Sequence, residues 1–201
     1  MKQFALHDPL SEGVYICIIV CWLVFFLGFR WVGAQRPQSP DKRRDRVSLL
    51  GAVFQGAGFA GVWILERPLF APIVPMPYWL EVLVAALTLA LAVGCEWLVF
   101  TSVRTLGRQW AYTARLVEQH QLIVQGPYRW VRNPIYSGMF GMMIATGLAV
   151  SHWIAFPIVV PLFAFGTWIR VRSEEKLLRD EFGRQWDEYR KRVPAVLPGI
   201  Y

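Results

Sequence analysis

Charge is what this sequence lacks over long distances. No Asp, Glu, Lys or Arg occurs from Gly13 to Phe29, from Val47 to Leu65, or across the 35 residues from Ile135 to Ile169. Runs of that length have no polar face to offer water, so an ordinary soluble domain is excluded. A composition of 55% hydrophobic residues with ten Trp and thirteen Phe places the chain in the membrane class. Cysteine is scarce too: Cys17, Cys21 and Cys95 all sit inside apolar runs, with no C-x-x-C pair and no histidine at ligand spacing. That argues against a metal centre or a disulfide framework and leaves small buried apolar residues. No A-x-A cleavage signal follows the first apolar run, which is therefore read as a retained span. The net charge of +7 is not a nucleic-acid footprint in such a chain, and its meaning depends on where the charges lie relative to the spans.

Taken in order, the first span covers about residues 13 to 33 and ends at the interfacial pair Arg30-Trp31. A basic loop, Arg36 to Arg46, leads to a second span at 47–65, where Ala52, Gly56 and Ala60 give the small-x-x-x-small spacing that lets helices approach in lipid. Glu66 to Pro77 carries four prolines and cannot be a regular helix, so it is expected to dip into the interface. The third span runs from Tyr78 to about Thr101. Its Glu96 reads as a snorkelling carboxylate or a partner of Arg104 and is left outside the site. Thr101 to Gln125 reads as helix plus loop on the membrane face. The uncharged 135–169 run would make a helix of roughly 50 Å against a bilayer core of about 30 Å. It must fold back at Ser151-His152 into two short helices, the second bent by Pro157 and Pro161, with His152 as a turn residue. In the charged tail, Leu178, Phe182, Trp186, Tyr189 and Val193 recur at helical steps, giving an amphipathic helix ended by Pro194.

The fold class that follows is an all-α integral membrane protein with about five transmembrane helices and a cytoplasmic amphipathic C-terminal helix. Residues 1–100 hold the first three spans and 101–201 the functional core. Of the 21 Lys and Arg residues only Lys2 and Arg67 fall on the side of the N-terminus, so the N-terminus is expected outside and the C-terminus in the cytoplasm. No oligomeric state is assigned. The hairpin of the last two spans then returns Arg170 to Glu175 beside Tyr128 to Asn133.

The segment between them, HQLIVQGPYRWVRNPIYSG from His120 to Gly138, concentrates polar chemistry against an apolar run. Gly126-Pro127 and Asn133-Pro134 are turn signals that leave backbone groups unpaired for a ligand. It resembles the signature of the isoprenylcysteine carboxyl methyltransferase family, written around H-x-L-V, G-x-Y and R-H-P-x-Y. The tail RVRSEEKLLRDEFGRQWDEYRKRVPAVLPGIY resembles the same family's C-terminal pattern, here Arg170, Glu175, Phe182-Gly183, Trp186, Tyr189 and Val193-Pro194. With Leu106-Gly107-Arg108-x-Trp110 the likeness covers about residues 101 to 201. Related phospholipid methyltransferases resemble the chain at N-P-x-Y and at the Glu174-Glu175 pair.

The resemblance implies an integral membrane enzyme that joins S-adenosylmethionine from the cytoplasm to a lipophilic acceptor from the bilayer, under a roof formed by the C-terminal helix. His120, Gln121, Leu122 and Ile123 would touch the cofactor largely through backbone, and Tyr128 would line the same pocket. Arg170 would face the acceptor and Glu175 the cofactor. The family's R-H-P is R-N-P here, so the amide of Asn133 would replace an imidazole. Methyl transfer needs alignment, and a carboxylate acceptor needs no base but does need a cation, which Arg170 can supply. On an ideal helix Glu174 lies under Arg170, so Glu174 is expected to pair with an arginine, leaving Glu175 to reach the ligand. Both are counted on the cofactor side, with Arg170 and Glu175 as the catalytic pair. Residue by residue, other readings stay open: a snorkelling Arg170, an aromatic belt for Tyr128 and Tyr136, an ordinary turn at Gly126-Pro127. Sterol reductases also resemble the chain at R-x-P-x-Y and P-G-I-Y, which would put NADPH in the pocket, and the basic loops alone would suit a protein that binds anionic lipid.

Overall fold

The structure, a computed structural model, describes residues 8–34 and 41–197. Lys2 and the final P-G-I-Y motif lie outside the described residues. Four helices contain stretches long and apolar enough to cross a membrane: α1 (Pro9–Ala34), α2 (Val47–Ile64), α3 (Tyr78–Leu106) and α5 (Phe156–Phe182). Between the last two, α4 (Pro134–Val150) is apolar but has 17 residues, about 25 Å, close to the thickness of a hydrocarbon core.

The α2–α5 contact is built on glycine, through a different stripe from the one expected. Ser48, Gly51, Gln55, Gly58 and Val62 are the buried positions of α2, whereas a Cβ added at Gly56 would meet nothing within 4 Å. Gly166 of α5 faces Gly51 and Gln55 so closely that a Cβ there would come within 2.6 Å of the Gly51 carbonyl. Gln55 donates from Nε2 to Thr167 Oγ1 at 2.9 Å, fixing the rotation that leaves Ala52, Gly56 and Ala60 off the seam. Glu96 also departs from expectation. It is buried beside Cys21 of α1, with Oε1 unpartnered among the described residues, rather than snorkelling toward Arg104.

The turn at 151–155 folds α5 back along α4, and His152 accepts at Nδ1 from the Ile154 N–H at 3.3 Å, as a turn residue should. The proline-rich loop packs on this turn. The backbone N–H of Arg67 donates to Val150 O at 3.0 Å, and its guanidinium donates to Ser151 O at 2.8 Å and Ala149 O at 2.7 Å.

At the other end, the basic end, two expectations are corrected. The second hairpin helix is not short: α5 runs 27 residues from the membrane to Phe182, so the span and the first part of the expected tail helix are continuous. Pro157 sits in the first turn where no N–H is needed, and Pro161 one turn later costs a single hydrogen bond near the end. Gly183, at φ +49, then breaks the rod before α6 (Arg184–Arg192). The loops also contain strands: β1 (Asp41–Arg44) pairs antiparallel with β2 (Arg115–Val117). Lys42 and Arg43 tie that ribbon to the far end of α5 through Glu181 at 2.7 Å and Asp180 at 2.8 Å.

Candidate active site

A cavity of about 380 Å³ opens at the basic end, a size suited to a small-molecule ligand. Its inner wall is apolar, from Phe25, Phe26 and Phe29 of α1 to Met139 of α4, and its outer wall is formed by Leu122, Trp186 and Tyr189. Arg170 and Glu174 of α5 face it together with Tyr136 of α4.

The double-turn segment is held by the C-terminus. Gly126 at φ +60 turns the chain so that Pro127 starts a short 3-10 turn, Gly126–Arg129, which buries Tyr128. The Tyr128 carbonyl accepts from the Tyr189 hydroxyl at 2.6 Å. Burial, then the charge of Glu174 and the nearby Tyr189, hold the Tyr128 phenol well above its ordinary pKa, so it stays neutral. The side chain of Arg132 is 3% exposed and anchored through three of its donors: Nε donates to Glu175 Oε1 at 2.9 Å, and Nη1 to the carbonyls of Arg190, at 3.0 Å, and Val193. Its backbone N–H donates to Pro194 O at 2.8 Å.

Asn133 borders the cavity, but its amide is engaged elsewhere. Nδ2 donates to Ala195 O at 3.1 Å and the backbone N–H to the same oxygen at 2.9 Å, which anchors the chain after α6. Pro134 then opens α4.

Glu174 is at the cavity, and its nearest approach to Arg170 is 4.0 Å, so the expected pair is near but not closed. Glu175 is not where it was expected. It is absent from the cavity wall and turned toward Arg132 and, at 3.9 Å, Arg190. The helix explains this: Arg170, Glu174, Leu177 and Leu178 form the i, i+4, i+7, i+8 stripe of α5 that fronts the cavity, and the next residue after Glu174 points about 100° away.

His120, Gln121, Leu122 and Ile123 all border the cavity. The Gln121 N–H donates to Gln109 Oε1, while the backbone groups of Leu122 and Ile123 have no protein partner among the described residues. Free main-chain donors and acceptors at a cavity wall are what a polar ligand needs. Burial lowers the His120 pKa below its ordinary value, so the imidazole is neutral near pH 7.

Tyr136, for which the sequence left an interfacial aromatic belt open, joins the two charged groups of the wall. Its hydroxyl accepts from Arg170 Nε at 2.8 Å and donates to Glu174 Oε1. The R-N-P-x-Y spacing was the available signal, because the residue two after Pro134 falls on the inner face of the first turn of α4.

The molecule is thus a membrane helical bundle with a partly enclosed chamber, apolar at its membrane side and charged at the other. The family model described as phospholipid methyltransferase matches residues 82–185, more than half of the chain. The chain belongs to that family. Over 106 residues it is 32% identical to protein-S-isoprenylcysteine O-methyltransferase B of Arabidopsis thaliana, covering 50% of this chain and 52% of the relative. Over 87 residues it is 36% identical to protein-S-isoprenylcysteine O-methyltransferase of Homo sapiens, covering 41% and 29%. The chain spans about half the length of the plant relative, and less of the human one. Among solved structures, the eukaryotic intramembrane Ras methyltransferase, an isoprenylcysteine carboxyl methyltransferase, aligns with a TM-score of 0.58 at 19% identity, over 96% of this chain and 69% of that one. The fold is shared across nearly all of the present chain.

Proposed function

We propose that this protein is a membrane methyltransferase that transfers the methyl group of S-adenosylmethionine to an isoprenylcysteine carboxylate or a closely similar lipophilic acceptor, at a site facing the cytoplasm. The observation that carries the reading is the chamber itself: one continuous space with an apolar aromatic wall at one side and Arg170, Tyr136 and Glu174 at the other. The residues present suit the methyl donor. Glu174 supplies negative charge toward a sulfonium and an ammonium, and the main-chain groups of Leu122 and Ile123, unpaired among the described residues, supply hydrogen bonds. When bound, the donor provides an activated methyl group, and the sulfur leaves with the electron pair.

The chain's own work is to align and to exclude water. Trp186, 2% exposed, and Tyr189 close the outer side, so charges inside interact through low dielectric. Arg170 keeps Nη1 free of protein acceptors among the described residues and can hold an acceptor carboxylate in line with the methyl group. A carboxylate is already ionised, so no residue has to remove a proton. An apolar groove of about 510 Å³ between α1, α2 and α4 shares Phe25, Phe26 and Met139 with the chamber and extends to Phe59 and Trp63, giving the acceptor's hydrocarbon chain a place in the bilayer. The excess of Lys and Arg at this end of the bundle supports the cytoplasmic orientation.

Purified protein in detergent, given methyl-labelled S-adenosylmethionine and a membrane extract, is expected to label a lipid-linked acid. A parallel binding measurement with NADPH tests the reductase reading. Binding of NADPH with no binding of S-adenosylmethionine overturns the proposal.

A further inference from the structure

Arg170 and Glu174 stand four residues apart on one helix, the spacing at which opposite charges ordinarily close into a direct pair. Here they do not close. The nearest approach, Nη2 to Oε1, is 4.0 Å, and the Tyr136 hydroxyl lies between them, accepting from Arg170 Nε at 2.8 Å and donating to Glu174 Oε1. The Tyr136 ring lies under the guanidinium, 5.1 Å from centroid to Cζ, and Arg170 Nη2 is tied to the Tyr112 carbonyl at 2.6 Å. A guanidinium has five N–H donors in a fixed plane. With Nε held by Tyr136 and one Nη2 hydrogen by Tyr112, the donors left over among the described residues are both hydrogens of Nη1 and one of Nη2.

We infer that Tyr136 is a positioning residue: it keeps Arg170 and Glu174 apart as two separate charges, so that the remaining terminal donors of Arg170 recognise an anionic acceptor while Glu174 remains available to the cationic donor. Without the hydroxyl, nothing stands between the carboxylate and Nε, and an i,i+4 pair in a water-poor chamber closes. The closed pair neutralises the guanidinium that fronts the cavity beside Glu174, while Arg132, also at the cavity, is anchored through Nε and Nη1 to Glu175 and to main-chain carbonyls. Tyr136 is 5% exposed and holds the arginine from both below and beside, so its effect is exerted through Arg170 rather than through contact with the reacting atoms.

The inference rests on the methyl-transfer reading, and its test separates the two. The probes are S-adenosylmethionine and N-acetyl-S-farnesylcysteine, the latter as free carboxylate and as methyl ester, measured by equilibrium binding to the purified protein. Wild type that binds neither S-adenosylmethionine nor the carboxylate probe removes the functional reading and this inference with it. Given wild-type binding, Tyr136→Phe is expected to weaken the carboxylate probe roughly 10-fold or more while the ester is bound as before. Adding Glu174→Gln to that variant removes the competing charge and should recover most of the lost carboxylate affinity, although Glu174→Gln alone weakens S-adenosylmethionine. Tyr136→Phe with wild-type carboxylate affinity overturns the inference. So does a Tyr136→Phe protein that loses ester and cofactor together, or one that Glu174→Gln fails to rescue, because each outcome describes a scaffold residue.

Discussion

Two arginines, the buried Arg67 and the half-buried Arg170 at opposite ends of the bundle, show what distinguishes a structural cation from one built for a ligand. Arg67 is 9% exposed, and its guanidinium donates to the carbonyls of Ala71, Leu148, Ala149 and Ser151, all within 3.1 Å. It closes the C-terminal end of α4, where orphan carbonyls meet a positive charge, and burial lowers its pKa to about 10, leaving it charged at neutral pH. The space beside it is about 30 Å³, room for a water molecule. Arg170 is held by a hydroxyl and a single carbonyl and faces a chamber more than ten times larger. Arg132 resembles Arg67 in chemistry although it sits beside Arg170. Burial and charge alone therefore do not identify a functional arginine; a guanidinium that fronts open space and is held by few partners is the better candidate.

Four substitutions and a titration would break or sharpen that contrast. Arg132→Ala leaves the half-buried Glu175 with only Arg190 nearby, at 3.9 Å, and strips two carbonyls of their donor, so it should destabilise the fold by about 3 kcal/mol, read as a lower unfolding midpoint in detergent. Cofactor binding is lost along with the fold. Arg170→Ala should do the reverse, lowering methyl transfer roughly 100-fold or more while the unfolding midpoint and donor binding change little. Arg67→Met should cost roughly 3 kcal/mol of stability through unpaired carbonyls, with donor affinity unchanged in the protein that remains folded. If Arg67→Met abolishes donor binding at temperatures where it is folded, the distinction between the two ends fails. Asn133→Ala should weaken the anchor of the tail by about 1 kcal/mol, seen as faster proteolysis after α6 with little change in the rest of the chain.

The smallest effect is with pH. The folded-state pKa of His120 lies below that of the unfolded chain because burial disfavours the cation. The stability tied to its neutral form is complete above about pH 6.5 and declines as pH falls toward the lowered folded value. His120→Gln should remove that part of the acid sensitivity, which a stability profile between pH 5 and 7.5 would detect.

Much of this was legible in the chain. Uncharged runs set the spans, two proline turns set the segment that lines the chamber, and the resemblance of the two motifs led to His120 through Ile123, Tyr128 and Arg170 at one wall. The errors are of one kind. The stripe at Ala52, Gly56 and Ala60 has suitable spacing but faces away from α5, because Gln55 and Gly166 fix the rotation of the pair. Glu174 and Glu175 were both counted on the cofactor side; the rotation of α5 turns Glu175 to Arg132 and keeps Glu174 at the cavity. The β1–β2 ribbon is made of charged residues, DKRR in β1, which carry no strand alternation until Glu181 and Asp180 give them partners.

The sequence by itself determined which segments enter lipid, since that depends on the transfer free energy of contiguous residues and needs no knowledge of neighbours. It also determined that the polar motifs flank one helical hairpin. The tertiary structure decided how each helix is rotated about its axis, and with it which of two adjacent glutamates meets the cavity and which tyrosine separates two charges. An angular step of about 100° per residue makes that choice sensitive to a single packing contact, and such contacts join residues far apart in the chain.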